Sequence, residues 1–289
     1  MTFGNKSLVT IICLCYNQAK YVREALESAL NQTYKNIQLI VVDDGSTDDS
    51  KIVINELVRL SDAIQFISLS ENLGNCKAFN KALELSEGEF VIDLAADDIL
   101  LPSRVERGVH ELIRRGKTYG VNFTNADIIS QQGHHLNYFY PIDENGKSKN
   151  PVSQGDLFVD LVKRYFICSP TMMFTREVLD ELGGYDEELS YEDFDFWIRS
   201  SRKFKYCYTD EVLVKKRLVA SSKSSGQFKF RSADVKTTYN VIKKIFSLTK
   251  TEDELKAFRR RTIYELLMAL RHFNFRTAFK YLTLLSINK

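Results

Sequence analysis

Ile37-Gln38-Leu39-Ile40-Val41-Val42-Asp43-Asp44-Gly45-Ser46-Thr47-Asp48 is the stretch from which the fold can be read. Its apolar, β-branched half has the length and composition of a buried strand. It stops on two acids, a glycine and two hydroxyl residues, types that turn the chain and cap helices. Ser46 and Thr47 are expected to cap the helix that carries Ile52, Val53, Leu57 and Leu60. The same unit stands before it: Leu8 to Cys15 is an apolar run, and Asn17 is placed to cap a helix with apolar positions Tyr21, Val22, Ala25, Leu26, Ala29 and Leu30. It stands after it as well, with Ile64 to Leu69 as a strand, Asn75 to Leu85 as a helix, and Phe90 to Leu94 as a fourth strand ending at Asp97-Asp98. Such alternation predicts an α/β fold with a mostly parallel central sheet and helices on both faces. Ligands of open α/β sheets bind beyond the carboxyl ends of the strands. Here the first, second and fourth strands run straight into polar or acidic residues at those ends.

The rest of the chain reads more loosely. Pro102 to Gly116 is a helix with proline in its first turn and glycine after its last, and Tyr119 to Phe123 is a strand. Ser130 to Ser153 is aperiodic and reads as a long loop or hairpin insertion. A helix from Asp156, a short strand Thr171 to Phe174, and the turn Gly183-Gly184-Tyr185-Asp186 follow, and two or three basic helices finish the chain. With 289 residues, 44% apolar and 27% charged, there is enough chain for one large α/β domain and a smaller appendage. The net charge of +2 hides an asymmetry, because the chain from Lys229 onward holds 14 Lys/Arg against 5 Asp/Glu, leaving an acidic body. The expected division is therefore 1–228 as the α/β domain and 229–289 as basic amphipathic helices.

Five cysteines, Cys13, Cys15, Cys76, Cys168 and Cys207, form an odd set without zinc-site spacing. They read as reduced core residues, in keeping with a cytoplasmic setting. Leu8 to Cys15 is too short to span a bilayer.

Three acidic clusters carry the chemistry: Asp43/Asp44, Asp97/Asp98 and Glu192/Asp193/Asp195. Converging carboxylates with no competing His/Cys set suit a hard divalent cation, Mn²⁺ or Mg²⁺. A cation held this way can neutralise the charge that develops on a departing nucleoside diphosphate. One further carboxylate can take the proton of an attacking hydroxyl, and a single base suffices for inversion at a sugar carbon. Each cluster also has a plainer reading, as a capped turn, as the cap of the next helix, or as a solvated helix end. Their joint occurrence in this order favours chemistry.

The segments Val9 to Asn17, Asp43 to Asp48, Asn72-Leu73-Gly74, Gly88 to Asp98, Gly183 to Asp186 and Glu192 to Asp195 together resemble the family 2 inverting glycosyltransferases, over roughly residues 7 to 220. The resemblance implies a GT-A fold, with a catalytic domain that binds a nucleotide-sugar. It implies that Cys15-Tyr16-Asn17 and Asp44 hold the nucleotide base, with Tyr16 and Asn17 as the contacts. Asp97 and Asp98 would hold ribose, diphosphate and metal, and Asp193 would be the acceptor base. Glu192 and Trp197 are expected on the acceptor side, where Tyr191, Phe194, Phe196 and Trp197 could offer flat faces to a sugar ring.

The chain also departs from the family pattern. Ala95-Ala96-Asp97-Asp98 stands where many members have Asp-x-Asp-Asp. Phe79 replaces a common basic residue, which shifts donor contacts to Lys77. Arg217-Leu218-Val219 lacks the histidine of an Arg-x-His pattern, leaving Arg217, Lys223 or water to serve near the phosphates.

The expected activity is that of a hexosyl- or N-acetylhexosaminyl-transferase, using a UDP-sugar and acting on a saccharide or lipid-linked saccharide in surface polysaccharide or glycolipid assembly. Two rivals stand beside it: a catalytically reduced nucleotide-sugar-binding domain, and a sugar nucleotidylyltransferase, which would want a glycine-rich basic loop near its N-terminus. In the tail, Ile263, Leu266, Leu267, Leu270, Phe273 and Phe275 lie among Arg259-Arg260-Arg261, Arg271, Arg276 and Lys280. This pattern suits either an anionic membrane surface on the inner face or packing against the catalytic domain. No nucleic-acid motif accompanies it, so no nucleic-acid partner is expected.

Overall fold

The computed structural model describes residues 7–219 and 232–287. Along the chain run β1 (Val9–Cys15), α1 (Val22–Leu30), β2 (Ile37–Asp43), α2 (Ser50–Leu60), β3 (Ile64–Ser68), α3 (Asn75–Leu83), β4 (Phe90–Ala95) and β5 (Ile99–Leu100). Then come α4 (Arg104–Arg115), β6 (Tyr119–Ile129), β7 (His135–Tyr138), α5 (Phe158–Lys163), a 3₁₀ turn Ser169–Thr171, β8 (Met173–Thr175) and α6 (Arg176–Leu182). α7 (Asp193–Ser200), β9 (Lys205–Arg217), α8 (Ala233–Leu248), α9 (Glu252–Arg271) and α10 (Phe275–Ser286) complete it.

The chain forms two compact units. The first holds a nine-stranded mixed sheet in the order β3-β2-β1-β4-β8-β6-β9-β5, with β7 paired to β6. β3, β2, β1 and β4 are parallel, as the strand-helix alternation requires, and β8 enters antiparallel between β4 and β6. Every residue of β1 is buried. It lies between β2 and β4, and its side chains on one face, Val9, Ile11, Cys13 and Cys15, belong to a core with Val22, Ala25 and Leu26 of α1, Val41 of β2, and Ile92 and Leu94 of β4. Burying this apolar surface stabilises the unit by about 25 cal/mol per Å² removed from water. All five cysteines are buried. Burial pushes the thiols of Cys15 and Cys207 up to about 12, so neither is a thiolate at neutral pH.

Three details differ from the sequence reading. Asn17 does not cap α1, which begins five residues later. Instead Asn17 sits in the left-handed region at φ 54°, a conformation asparagine tolerates better than most residues. Ser46 and Thr47 do not cap α2, whose N-cap position is Asp49; Asn17, just past the neighbouring strand end, takes their hydrogen bonds. The stretch after Phe123 continues as strand to Ile129 and turns into β7, so the expected loop or hairpin over 130–153 begins as a hairpin and runs on past Tyr138 as loop with the single bridge Ile142↔Ser148, and β9 forms where no strand was expected.

The second unit contains Asp156–Phe166, Asp186–Lys203 and the C-terminal helices. Two of its segments thus lie before the expected boundary at 228/229. Its helices α5 and α7 pack on α9 and α8 respectively, and α9 packs on α8 and α10.

Candidate active site

β1 and β2 are in register from Val9↔Ile37 to Cys15↔Asp43, and β1 and β4 from Val9↔Phe90 to Leu14↔Ala95. The three strands therefore end at one level. Two further bonds extend the ladders, Asp44 N–H to Cys15 C=O at 2.8 Å and Ala96 N–H to Leu14 C=O at 3.0 Å. Along this carboxyl edge the chain leaves as Tyr16-Asn17, Asp44-Gly45 and Asp97-Asp98. The structure thus brings together the donor-side residues expected from sequence.

Asn17 joins the first two exits. Its side-chain oxygen accepts the backbone N–H groups of Thr47 at 2.8 Å and Asp48 at 3.3 Å, and its own N–H donates to the Ser46 hydroxyl at 2.9 Å. Tyr16 beside it is 45% exposed, a free aromatic face at the strand end. Asp44 is nearly enclosed, and its carboxylate accepts Leu73 N–H at 2.7 Å and Gly74 N–H at 3.0 Å. Gly45 is at φ +70°, and a Cβ there would lie 2.4 Å from the carbonyl carbon of Glu71, so only glycine lets the two loops close. α3 starts directly after Gly74, with Lys77 exposed in its first turn. Phe79 is fully buried and stacks on the Tyr185 ring at 4.2 Å, while Asn80 bonds both the N–H and the C=O of Tyr185. The Tyr185 hydroxyl in turn donates to Asp93 at 3.0 Å.

At the end of β4, Asp98 is buried and accepts the Arg217 N–H at 2.8 Å, whereas Asp97 stays partly exposed. The Arg217 side chain donates from Nε to the Asp97 carbonyl at 3.0 Å and from Nη2 to Glu24 at 2.6 Å. Its guanidinium also lies 4.8 Å from the centre of the Tyr21 ring. This corrects the expectation that Arg217 serves the phosphates: the group is 5% exposed and its charge is met by Glu24, so it braces the loop after β4. Lys223, the other candidate, lies outside the described residues.

Burial pushes the Asp98 carboxyl up to about 8, with the Asp97 charge adding to the effect, and burial raises Asp97 as well. Two adjacent acids whose ionisation is opposed in this way are a place where a divalent cation lowers the energy. Among the described residues no group of three or more His, Cys, Asp or Glu forms a self-sufficient metal cage. Mn²⁺ or Mg²⁺ held by one or two carboxylates and completed by phosphate oxygens and water needs none, so the oxygen-only pair fits that mode.

In the second unit Glu192 occupies the N-cap position of α7, and Asp193 is its first residue. Both are partly exposed. Asp195 is different. It is 1% exposed and pairs with Arg199 Nε at 2.6 Å and Lys244 Nζ at 2.5 Å, so it is a structural acid and not part of a reactive cluster. The expected aromatic platform is also corrected: Phe194, Phe196 and Trp197 are 0%, 1% and 4% exposed. α7 is enclosed on nearly every side, so its rings fill the core of the unit and offer no open face to a sugar.

The sequence reading missed Arg261, which lies at 4.2 Å from the Tyr165 ring and 4.7 Å from the Phe194 ring, paired with Glu265 at 2.7 Å. The basic run Arg259-Arg260-Arg261 looks uniform in sequence. Helical period turns its third member inward, and the acid four residues on was the available signal.

The sheet order, with its strand exits and the acidic pair after β4 on one carboxyl edge, is that of a mixed α/β fold of the kind that takes ligands beyond its strand ends. Residues 10–183 match the family model Glycosyl transferase family 2, and the chain belongs to that family. A glycosyltransferase of Rickettsia typhi is 32% identical over 212 residues, which are 73% of this chain and 64% of that protein, so the chain spans under two thirds of that relative. The putative teichuronic acid biosynthesis glycosyltransferase TuaG of Bacillus subtilis is 28% identical over 225 residues, 78% of this chain and 84% of that one. Among solved structures, the mannosyltransferase of Pyrobaculum calidifontis in complex with GDP-Man and Mn²⁺ superposes with a TM-score of 0.65 at 18% identity, covering 96% of this chain and 74% of the other. The S. aureus TarS 1–349 complex with UDP-GlcNAc gives 0.65 at 17% identity, covering 95% and 89%. The fold is GT-A.

Proposed function

We propose that this chain transfers a hexosyl or N-acetylhexosaminyl group from a nucleotide-diphosphate donor, in the first instance a UDP-sugar, to a saccharide or lipid-linked saccharide hydroxyl, with inversion. The observation that carries this reading is Asp97: a partly exposed carboxylate at the end of β4, next to a buried acid, on the edge where Tyr16, Asn17 and Asp44 also end. Mn²⁺ or Mg²⁺ bound there would neutralise the charge arising on the departing diphosphate. Asp97 would be its direct ligand, and Asp98 would position Asp97 by fixing the Arg217 backbone. Tyr16 would stack on the base, Lys77 would meet a phosphate, and Asp193 would accept the proton of the attacking hydroxyl, with Glu192 beside it. Trp197, being enclosed, would act on the acceptor only through the frame of α7.

TuaG bears a name in teichuronic acid biosynthesis, which supports a role in surface polysaccharide assembly. We place the chain at the cytoplasmic face of the inner membrane, where an acceptor of that class would be presented. Among the described residues no helix is long and apolar enough to cross a membrane.

The test is a thermal-shift panel of UDP-Glc, UDP-GlcNAc and GDP-Man with and without Mn²⁺, followed by nucleotide release with saccharide acceptors. A donor present at a hundred times its Kd stabilises by about 2.7 kcal/mol. Mn²⁺-dependent stabilisation with turnover is expected. No shift with any donor would refute the reading, while binding without turnover under all acceptors would favour the catalytically reduced domain that Ala95, in place of an acid, keeps in view.

A further inference from the structure

The C-terminal helices carry a surface that the catalytic chemistry does not use. α9 buries Phe258, Arg261, Glu265 and Ala269 on one side, and the opposite side at the same helical spacing shows Ile263, Leu267 and Leu270 to solvent. The chain then turns through Phe273 into α10, which buries Ala278, Tyr281 and Leu284 and exposes Phe275, Phe279 and Leu282. Leu267, Leu270, Phe273, Phe275, Phe279 and Leu282 are between 43% and 71% exposed. An isolated soluble fold gains nothing from so many large exposed apolar groups on two successive helices. Phe273 adds a second oddity. It sits at φ 59°, in the left-handed region where a bulky residue is strained, and at 68% exposure no core packing compensates.

Charge decides what covers this surface. After Glu254 the chain has one acid, Glu265, and it is buried against Arg261. Arg259, Arg260, Arg271 and Arg276 all stand exposed around the apolar residues. A second copy docked face to face through these residues would bring arginine against arginine, because the one acid among them, Glu265, is buried. Apolar side chains flanked by arginines, without carboxylates, match the acyl boundary and phosphate headgroups of an anionic bilayer.

We propose that α9 and α10 lie along an anionic lipid surface, with the aromatic and leucine side chains at the acyl boundary and the four arginines on headgroup phosphates. This deepens the placement under the proposed function but rests on the helix face alone, and vesicle binding is read without any donor or acceptor. Its failure is therefore separate from failure of donor binding.

The full chain is co-sedimented with phosphatidylcholine vesicles and with vesicles of equal parts phosphatidylcholine and phosphatidylglycerol, at low and high salt. Binding to the anionic vesicles only, weakened by salt, is expected. Phe275→Ser/Phe279→Ser should lose binding at least roughly tenfold, and each arginine removed in Arg271→Gln/Arg276→Gln should weaken it roughly fivefold. Both variants change exposed side chains, and the melting temperature and donor-induced thermal shift serve as controls on the fold. No wild-type binding at low salt, equal binding to neutral vesicles, or wild-type binding by both variants would overturn the proposal. So would a solution dimer that the Phe275/Phe279 variant dissociates, since the face would then join two copies.

Discussion

The carboxylate of Asp44 accepts the backbone N–H of Gly74 at 3.0 Å and so fixes the start of α3 to the end of β2. With the Leu73 amide on its other oxygen, Asp44 holds a loop before it holds any ligand. Asp44→Ala is therefore expected to lower stability as well as donor affinity, each charge-assisted bond being worth about 1.5–3 kcal/mol. Asp44→Asn, which retains one acceptor, should fall between. Urea denaturation beside nucleotide titration separates the two losses, and an Asp44→Ala protein as stable as wild type would contradict the loop role.

The acid pair after β4 yields a prediction about metal. Asp97→Asn removes a charge from a partly exposed position, while Asp98→Asn alters a buried acceptor of the Arg217 amide. The first should abolish the Mn²⁺ dependence of donor-induced stabilisation with little change in melting temperature without ligand. The second should lower that temperature as well. Chelation with EDTA should abolish turnover of the wild type. Undiminished turnover in excess chelator would remove the metal from the mechanism.

Acid sensitivity should appear in the second unit. Burial alone would raise the Glu254 carboxyl, but Arg202 at 2.7 Å and the amides of Lys250 and Thr251 outweigh it and hold the group below its usual 4.5. A carboxyl lowered by folding adds stability that is fully present above the unfolded value and is lost as pH falls through the folded one. The contribution of Glu254 should thus be level above about pH 5 and be lost below about 4.5, so the difference in stability between wild type and Glu254→Gln should be constant above that range and shrink below it. Urea midpoints across this range provide the check.

The buried Arg261–Glu265 pair, 4% and 3% exposed, underlies the Phe194 ring and hence the start of α7. Removing one partner of a buried pair strands the other, at about 3–5 kcal/mol. Arg261→Met alone should destabilise by that order, while Arg261→Met/Glu265→Leu should recover most of the loss. Equal instability of the single and double variants would show that Arg261 acts through its ring contacts instead.

The parallel half of the sheet was legible because β1, β2 and β4 are apolar runs that end on polar turns, a local signal. What joins those turns was not. Asn17 looks like a cap to its own helix, and only the pairing of β1 with β2 reveals that it holds residues 47 and 48. β9 escaped because Asp210-Glu211 interrupts its apolar pattern, where the register with β6 also shifts. The acids of 192–195 look alike in sequence. Lys244, some fifty residues on, separates Asp195 from the others by pairing with it in the core.

That separation sharpens the last prediction. With Asp195 neutralised by Arg199 and Lys244, and with Phe194, Phe196 and Trp197 packed inward, α7 is a fixed frame whose first residue is Asp193. A base must keep its position between turnovers, and an enclosed short helix provides that constraint. Asn at this position preserves size but accepts no proton at working pH. Asp193→Asn should therefore keep donor affinity and melting temperature while turnover falls by roughly 10²–10⁴-fold, the usual loss on removing a general base. Glu192→Gln, one residue outside the helix, should lose much less. The product of the wild type should carry the inverted anomeric configuration, since one base serves one displacement. Turnover of Asp193→Asn within about threefold of wild type, far short of that loss, or a product with retained configuration by NMR, would take Asp193 out of the role.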